Sequence, residues 1–458
     1  MNKNDYLKLT KPYFEKALRT LQEFVKIPSV YDESTITKNM PYGKGVNDAL
    51  IYIGELAKSD GFEVSYCDGH CVEIRHGKGS NDLAIFAHAD VVPATGNWDN
   101  PPFSGFIKDG YIYSRGVSDD KGAAIASYYA LKALKDAGLL NDVPIRIVIG
   151  GNEERGSTCM NYYFNTLKKA APKYGFTPDA TFPLIYGEKG ITNYESILKI
   201  DLSPIISIKG GEASNSVIDK TIVILPKDDN FLTFLHKEHY SFTYEEDSIN
   251  YKVTFHGKSA HGSTPDHGFN AGIAALNAIG DYFRKKELIK LVHQYENVFG
   301  ANLGEQSESK LLGLTTFNVG LINYQDGKLS FVTNFRYHEN VDIKPTIKRI
   351  EEKTRTNIRI LSTSKHLLFD PTSEFVETLL KVYQKETGDR VSKPFTIGGG
   401  TYAKECPNTI AFGCSFGDRH GNIHAPNEYL LIEDFNMQIR IYAHAIMALA
   451  KLGGYICE

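Results

Sequence analysis

A chain of 458 residues exceeds one ordinary domain, and 42% apolar with 23% charged residues is the make-up of folded globular protein, not of a disordered one. A formal charge of −4 with no basic block excludes a phosphate-binding surface, so no nucleic-acid partner is expected. No apolar run approaches the ~20 residues that span a bilayer, and Lys3, Asp5, Lys8 and Lys11 stand where a signal peptide would be apolar, so a cytoplasmic protein without membrane contact is expected.

Phe14, Ala17, Leu18, Leu21, Phe24 and Val25 recur at helical spacing, as do Val46, Leu50, Ile53 and Ala57, and predict two amphipathic helices. Cys67 and Cys71 flank His70, but no second Cys or His pair lies near enough in sequence to complete a four-ligand clip, and the six cysteines read as buried reduced thiols. Apolar runs at 83–87 and 145–149, separated by a helical stretch at 123–134, predict a β–α–β unit. From about 193 to 367 the pattern changes to strands of alternating polarity, with Tyr251, Val253 and Phe255 facing one way. Residues 409–413 then read as a buried strand, and Phe435, Ile439, Tyr442, Ile446 and Leu449 form one stripe of a closing helix. The fold expected is α/β: a discontinuous domain, 1–192 and 368–458, with a central, mostly parallel or mixed sheet flanked by helices. An α+β domain of two subdomains, 193–367, is inserted into it. Open α/β sheets gather their sites at one end, where residues from both distant segments can meet.

Five motifs carry chemistry. His88-Ala89-Asp90 follows a predicted strand; residues two apart face one side, so Asp90 can bond one imidazole nitrogen while the other meets a metal. Asp119 and Asp120 sit between Gly116 and Gly122 before a helix, where a carboxylate can place one oxygen on each of two cations or, more plainly, cap the helix. Glu153 and Glu154 follow the strand at 145–149; adjacent side chains diverge, so one can bind metal while the other takes a proton from water. Asp179 supplies a fourth acid. The late segment 417–428 holds His424 a few residues before Asn427-Glu428, with His420 as a competing imidazole. Each motif alone also fits a solvated surface, but together they make a hard N/O donor set that suits Zn²⁺, Mn²⁺ or Co²⁺.

The ordered series His88-x-Asp90, Asp119-Asp120-Lys121-Gly122, Glu153-Glu154, Asp179 and His424 resembles the co-catalytic dinuclear metallopeptidases of the carnosinase, aminoacylase and carboxypeptidase G type along essentially the whole chain. Gly187-Glu188-Lys189-Gly190, Gly398-Gly399-Gly400-Thr401-Tyr402 and the large insert are most similar to its dipeptidase V branch. The resemblance implies two divalent cations, with Zn²⁺ first and Mn²⁺ or Co²⁺ as alternatives. Asp119 would bridge them, with His88 and Asp179 completing one site and Glu154 and His424 the other. It further implies Glu153 as general base, Asp90 orienting His88, and a cis Asp119–Asp120 peptide. In the insert, a lid, it implies that His261 within His256-Gly257-Lys258-Ser259-Ala260-His261 reaches the oxyanion. Asn215, Arg336 and the loop Gly399, Gly400 and Thr401 would hold the substrate, with Arg336 suited to a C-terminal carboxylate. A hinge between lid and catalytic domain follows, and a doubled lid of this kind implies a monomer. The reaction expected is hydrolysis of dipeptides with free amino and carboxyl ends. An N-acyl amino-acid amidohydrolase and a metal-retaining but inactive binding protein are the competing readings. Pro426, after His424, departs from the pattern and leaves the shape of that loop open.

Overall fold

The fold was analysed in a computed structural model that describes residues 3–79, 81–417, 419 and 421–456; His420 lies outside the described residues. The chain divides into two compact units. One comprises residues 1–186, 369–395 and 400–458, and the other residues 187–368 and 396–399.

At the centre of the first unit four strands run parallel, in the order Ile145–Gly150, Leu83–His88, Tyr174–Thr177 and Thr409–Ala411. Antiparallel strands border them, Cys71–His76 on one side and Ile185–Glu188 on the other, so the sheet is mixed. Every residue of Leu83–His88 and Ile145–Gly150 is buried, as parallel strands covered on both faces require, and this is why they read as unbroken apolar runs. Helix Lys121–Asp136 is buried over its first fourteen residues, 121–134, and packs against Phe14–Val25, Ile432–Leu452 and the strand Leu83–His88. Lys121 lies in that apolar setting because its Nζ donates to the carbonyls of Phe24 (3.2 Å), in the last turn of the neighbouring helix, and of Ile27 (2.7 Å), just beyond it. The last parallel strand, expected over 409–413, stops at Ala411: the chain turns off the sheet where Gly413 lies against the backbone of Thr181 and Phe182, closer than a side chain would allow.

The second unit is built on one continuous antiparallel sheet of eight strands, with Asn250–His256 near one edge and Asn357–Ser364 at the other. In Asn250–His256 burial alternates strictly, with Tyr251, Val253 and Phe255 in the core. Helix Ala271–Tyr282 packs on the strands Lys220–Pro226, Asn250–His256 and Thr316–Gln325. It begins where the Asn270 side chain accepts the amides of Gly272 (3.0 Å) and Ile273 (3.1 Å). The two halves of the insert thus share a single sheet. The five described cysteines are free and buried, and among the described residues no helix is long and apolar enough to cross a membrane.

Candidate active site

Each parallel strand of the first unit leads at its C-terminal end to a residue of the candidate site. His88 is the last residue of its strand; Glu153 and Glu154 follow Ile145–Gly150, Asp179 follows Tyr174–Thr177, and the segment after Thr409–Ala411 leads to His424. Gly150 has no side chain where the Tyr402 hydroxyl and Cys159 pass, so the Glu-bearing loop leaves the sheet beside the His88 ring, which meets Tyr402 edge-on at 5.9 Å.

Asp119 stands at the centre. Its Oδ1 lies 3.0 Å from His88 Nε2 and its Oδ2 3.0 Å from His424 Nε2, one oxygen to each imidazole. Asp179 Oδ2 is 3.7 Å from His88 Nε2, and both oxygens of Glu154 are 3.2 Å from His424 Nε2. Two donor groups result, His88 with Asp119 and Asp179, and Asp119 with Glu154 and His424; within each, the ligand atoms lie within 4.8 Å of one another. The shared member is the residue expected to bridge. Two imidazole nitrogens and three carboxylates fit a pair of hard or borderline divalent cations, since the donors converge and the ion pairs of Asp119 and Glu154 are made with imidazoles.

Around this core the backbone is held in unusual conformations. The Asp119–Asp120 peptide is cis, and His424 sits at φ 62°, a left-handed conformation that a non-glycine residue adopts where surrounding contacts impose it. Asp120 occupies the N-cap position of the helix that follows, but its side chain makes no capping hydrogen bond; its Oδ2 accepts the His88 amide at 3.1 Å instead. Asp90 acts twice. Its backbone carbonyl is the hydrogen-bond partner of His88 Nδ1 (3.0 Å), with carboxylate Oδ1 farther off at 3.5 Å. That carboxylate accepts the amides of Glu153 (3.1 Å) and Glu154 (3.2 Å). Asp90 thus faces His88 Nδ1 with both its carbonyl and its carboxylate, and the same carboxylate fixes the loop of the two glutamates.

The charge of this cluster is reflected in its acids and bases. Burial alone would lower the His88 pKa, but hydrogen bonds to Asp119 and Asp90 reverse this and raise it well above the usual value. Hydrogen bonds to Asp119 and then Glu154 push His424 up to about 11. Glu153 belongs to neither donor group; burial, followed by the neighbouring Asp179 and Glu154 charges, raises its carboxyl well above the ordinary range.

The remaining expected residues are divided between the two units. Gly400 and Thr401 are in the first unit, where the Thr401 hydroxyl accepts the Ala403 amide (3.1 Å) and starts a short helix. Asn215, His261, Arg336 and Gly399 are in the second unit. There the Asn215 side chain is exposed, and its carbonyl accepts the Gly262 amide at 2.7 Å. His261 Nδ1 meets the Ser263 hydroxyl at 2.6 Å and accepts the Ser263 amide at 3.4 Å, which leaves the proton on Nε2. Arg336 is buried; its Nε donates to Asn334 Oδ1 (2.8 Å) and its Nη1 to the Gly398 carbonyl. Among the described residues no carboxylate pairs with it, and burial lowers its pKa to about 10. Two contributors escaped sequence reasoning. Glu428 was only a spacing marker for His424, and Ser263, two residues after His261, was not singled out.

The model of Peptidase family M20/M25/M40 matches residues 84–448. A relative from Staphylococcus epidermidis described as "Putative dipeptidase" is 33% identical over 460 aligned residues, covering 95% of this chain and 97% of the relative. Among solved structures, the di-peptidase Dug1p of Saccharomyces cerevisiae superimposes with a TM-score of 0.60 at 15% identity over 98% of both chains. Human carnosine dipeptidase 1 superimposes at 0.58 and 11% identity, over 98% of this chain and 99% of that one. With the match spanning all five motif segments and the relatives covered nearly end to end, the chain belongs to the M20/M25/M40 peptidase family of hydrolytic enzymes.

Proposed function

We propose that this protein is a metal-dependent dipeptidase that hydrolyses dipeptides with a free amino end and a free C-terminal carboxylate. The observation that carries the reading is the pair of donor groups sharing Asp119, with Glu153 beside them and outside both. Relatives described as dipeptidases support it. His88, Asp119 and Asp179 would hold one cation and Asp119, Glu154 and His424 the other. Zn²⁺, Mn²⁺ or Co²⁺ in such a site supplies Lewis acidity and lowers the pKa of water.

Glu153 takes the proton of the attacking water on a carboxylate oxygen and returns it to the leaving amine, a carboxylate beside both donor groups and a member of neither. Asp90 holds Glu153 and Glu154 by their amides. The neutral His261 offers its Nε2 proton to the oxyanion, a bond worth most in the transition state. Arg336, a buried guanidinium with two donors engaged by neutral oxygens, grips the C-terminal carboxylate of the substrate with its fork, assisted by Asn215 and the loop Gly399, Gly400 and Thr401. With the free amine among the acids and the carboxylate on Arg336, length is limited to two residues. The protein acts as a cytoplasmic monomer, for which light scattering coupled to size exclusion is the check.

The test is a dipeptide panel, with matching N-acetylated amino acids, on chelator-stripped protein reloaded with Zn²⁺, Mn²⁺ or Co²⁺. Dipeptides should turn over and the acetylated compounds should not. The reverse selectivity would make the protein an amidohydrolase of N-acyl amino acids, and no turnover of either would leave a metal-binding protein without this activity. Glu153→Gln should lower kcat by a factor on the order of 10² to 10⁴ with the cations still bound.

A further inference from the structure

Glu428 lies four residues after His424, is fully buried, and makes more hydrogen bonds to the Asp119 loop than any cation ligand does. Its Oε2 accepts Arg115 Nη1 at 2.7 Å and the Gly116 amide at 3.0 Å; its Oε1 accepts the amides of Ser118 at 2.9 Å and of Asp119 itself at 3.2 Å. A carboxylate offers about four lone-pair positions, and here four donors occupy them, so Glu428 has no oxygen left for a cation. It is also absent from both donor groups. Further bonds join the same two stretches of chain. The Ser114 amide donates to the Glu428 carbonyl (3.1 Å) and the Ser118 hydroxyl to the Tyr429 carbonyl (2.7 Å).

The consequence is geometric. Asp119 and His424 come from segments about 300 residues apart in sequence, and each belongs to the same donor group only if those segments are locked in register. Because Asp119 turns one oxygen to His88 and the other to His424, a shift of the loop at 115–119 displaces both donor groups at once. We propose that Glu428 is a positioning residue that sets the bridging carboxylate for both cation sites together, resting on the dinuclear reading above. Glutamine at this position would turn an N–H group towards amides that already donate, and would leave Arg115 buried without an anion; aspartate keeps the charge but not the reach.

The experiment is calorimetric titration of chelator-stripped protein with Zn²⁺, alongside thermal unfolding of the stripped forms, for wild type, Glu428→Gln, Glu428→Asp and Asp179→Asn. Glu428→Gln should weaken both binding events by about 10- to 100-fold, the scale of outer-shell substitutions, with Glu428→Asp between it and wild type. Asp179→Asn should weaken mainly one event. If Glu428→Gln lowers the melting temperature but leaves both affinities as in wild type, or weakens only one, the proposal is overturned. Should Glu428→Gln not fold, Glu428→Asp decides by the same criterion. Fewer than two Zn²⁺ ions bound by the wild type would instead remove the dinuclear reading beneath it.

Discussion

Asp90 shows how one residue can serve two neighbours at once. Spacing in an extended strand places it on the same side as His88, which is as far as sequence reaches; which atom makes the bond depends on where the next loop passes. The loop of Glu153 and Glu154 offers two amides, charge-assisted bonds to them are strong, and the carboxylate turns that way while the carbonyl serves His88. His261 is governed by the same kind of local choice. The packed surroundings, followed by the Arg336 charge, push its pKa below the ordinary value of 6.5, and Ser263 occupies Nδ1. A histidine of depressed pKa adds stability that is complete above 6.5 and is lost as pH falls through the folded value, because only the unfolded ring binds the proton freely. The ring should therefore be neutral at pH 7. Imidazole resonances of His261 followed by NMR through pH 4 to 8 should give a midpoint below 6.5; a midpoint above 7 would put a proton on Nδ1 and leave it unable to accept the Ser263 amide.

At the scale of elements, the strands and helices of the first unit were largely legible because parallel strands buried on both faces carry a signal that survives without context. Leu83–His88, Ile145–Gly150, Lys121–Asp136 and Ile432–Leu452 all stand where periodicity puts them, within a few residues. The end of Thr409–Ala411 was not legible, since Phe412 and Gly413 are apolar but are drawn off by packing against Thr181 and Phe182. Glu428 was missed for a similar reason: nothing in its residue type distinguishes a carboxylate surrounded by amides from one facing solvent. Ile147, fully buried in the middle of its strand, shows what the sheet contributes to the site. Ile147→Ala should cost about 2–5 kcal/mol of stability in the first unit by lost burial and a residual cavity. Denaturant unfolding would measure it, and a loss below about 1 kcal/mol would mean that the strand supporting Glu153 repacks freely.

For the whole molecule, the division of labour between the two units makes its own demand. All five candidate ligands, His88, Asp119, Glu154, Asp179 and His424, belong to the first unit, as do Glu153, Asp90 and Glu428; none comes from the second. A ligand stabilises only the part of the fold that must be intact to bind it, by RT ln(1 + [L]/Kd), or about 2.7 kcal/mol at a hundredfold excess over Kd. Cation loading should therefore act unevenly along the chain. Hydrogen exchange of stripped and Zn²⁺-loaded protein should show slowed amides at 116–119 and at Glu153 and Glu154, where the loops lose their freedom to open. Amides of Asn250–His256 and Ala271–Tyr282, in the core of the second unit, should exchange at unchanged rates. Equal protection of those two elements would mean that the second unit also takes part in holding the cations, and that the sequence motifs account for only part of the site.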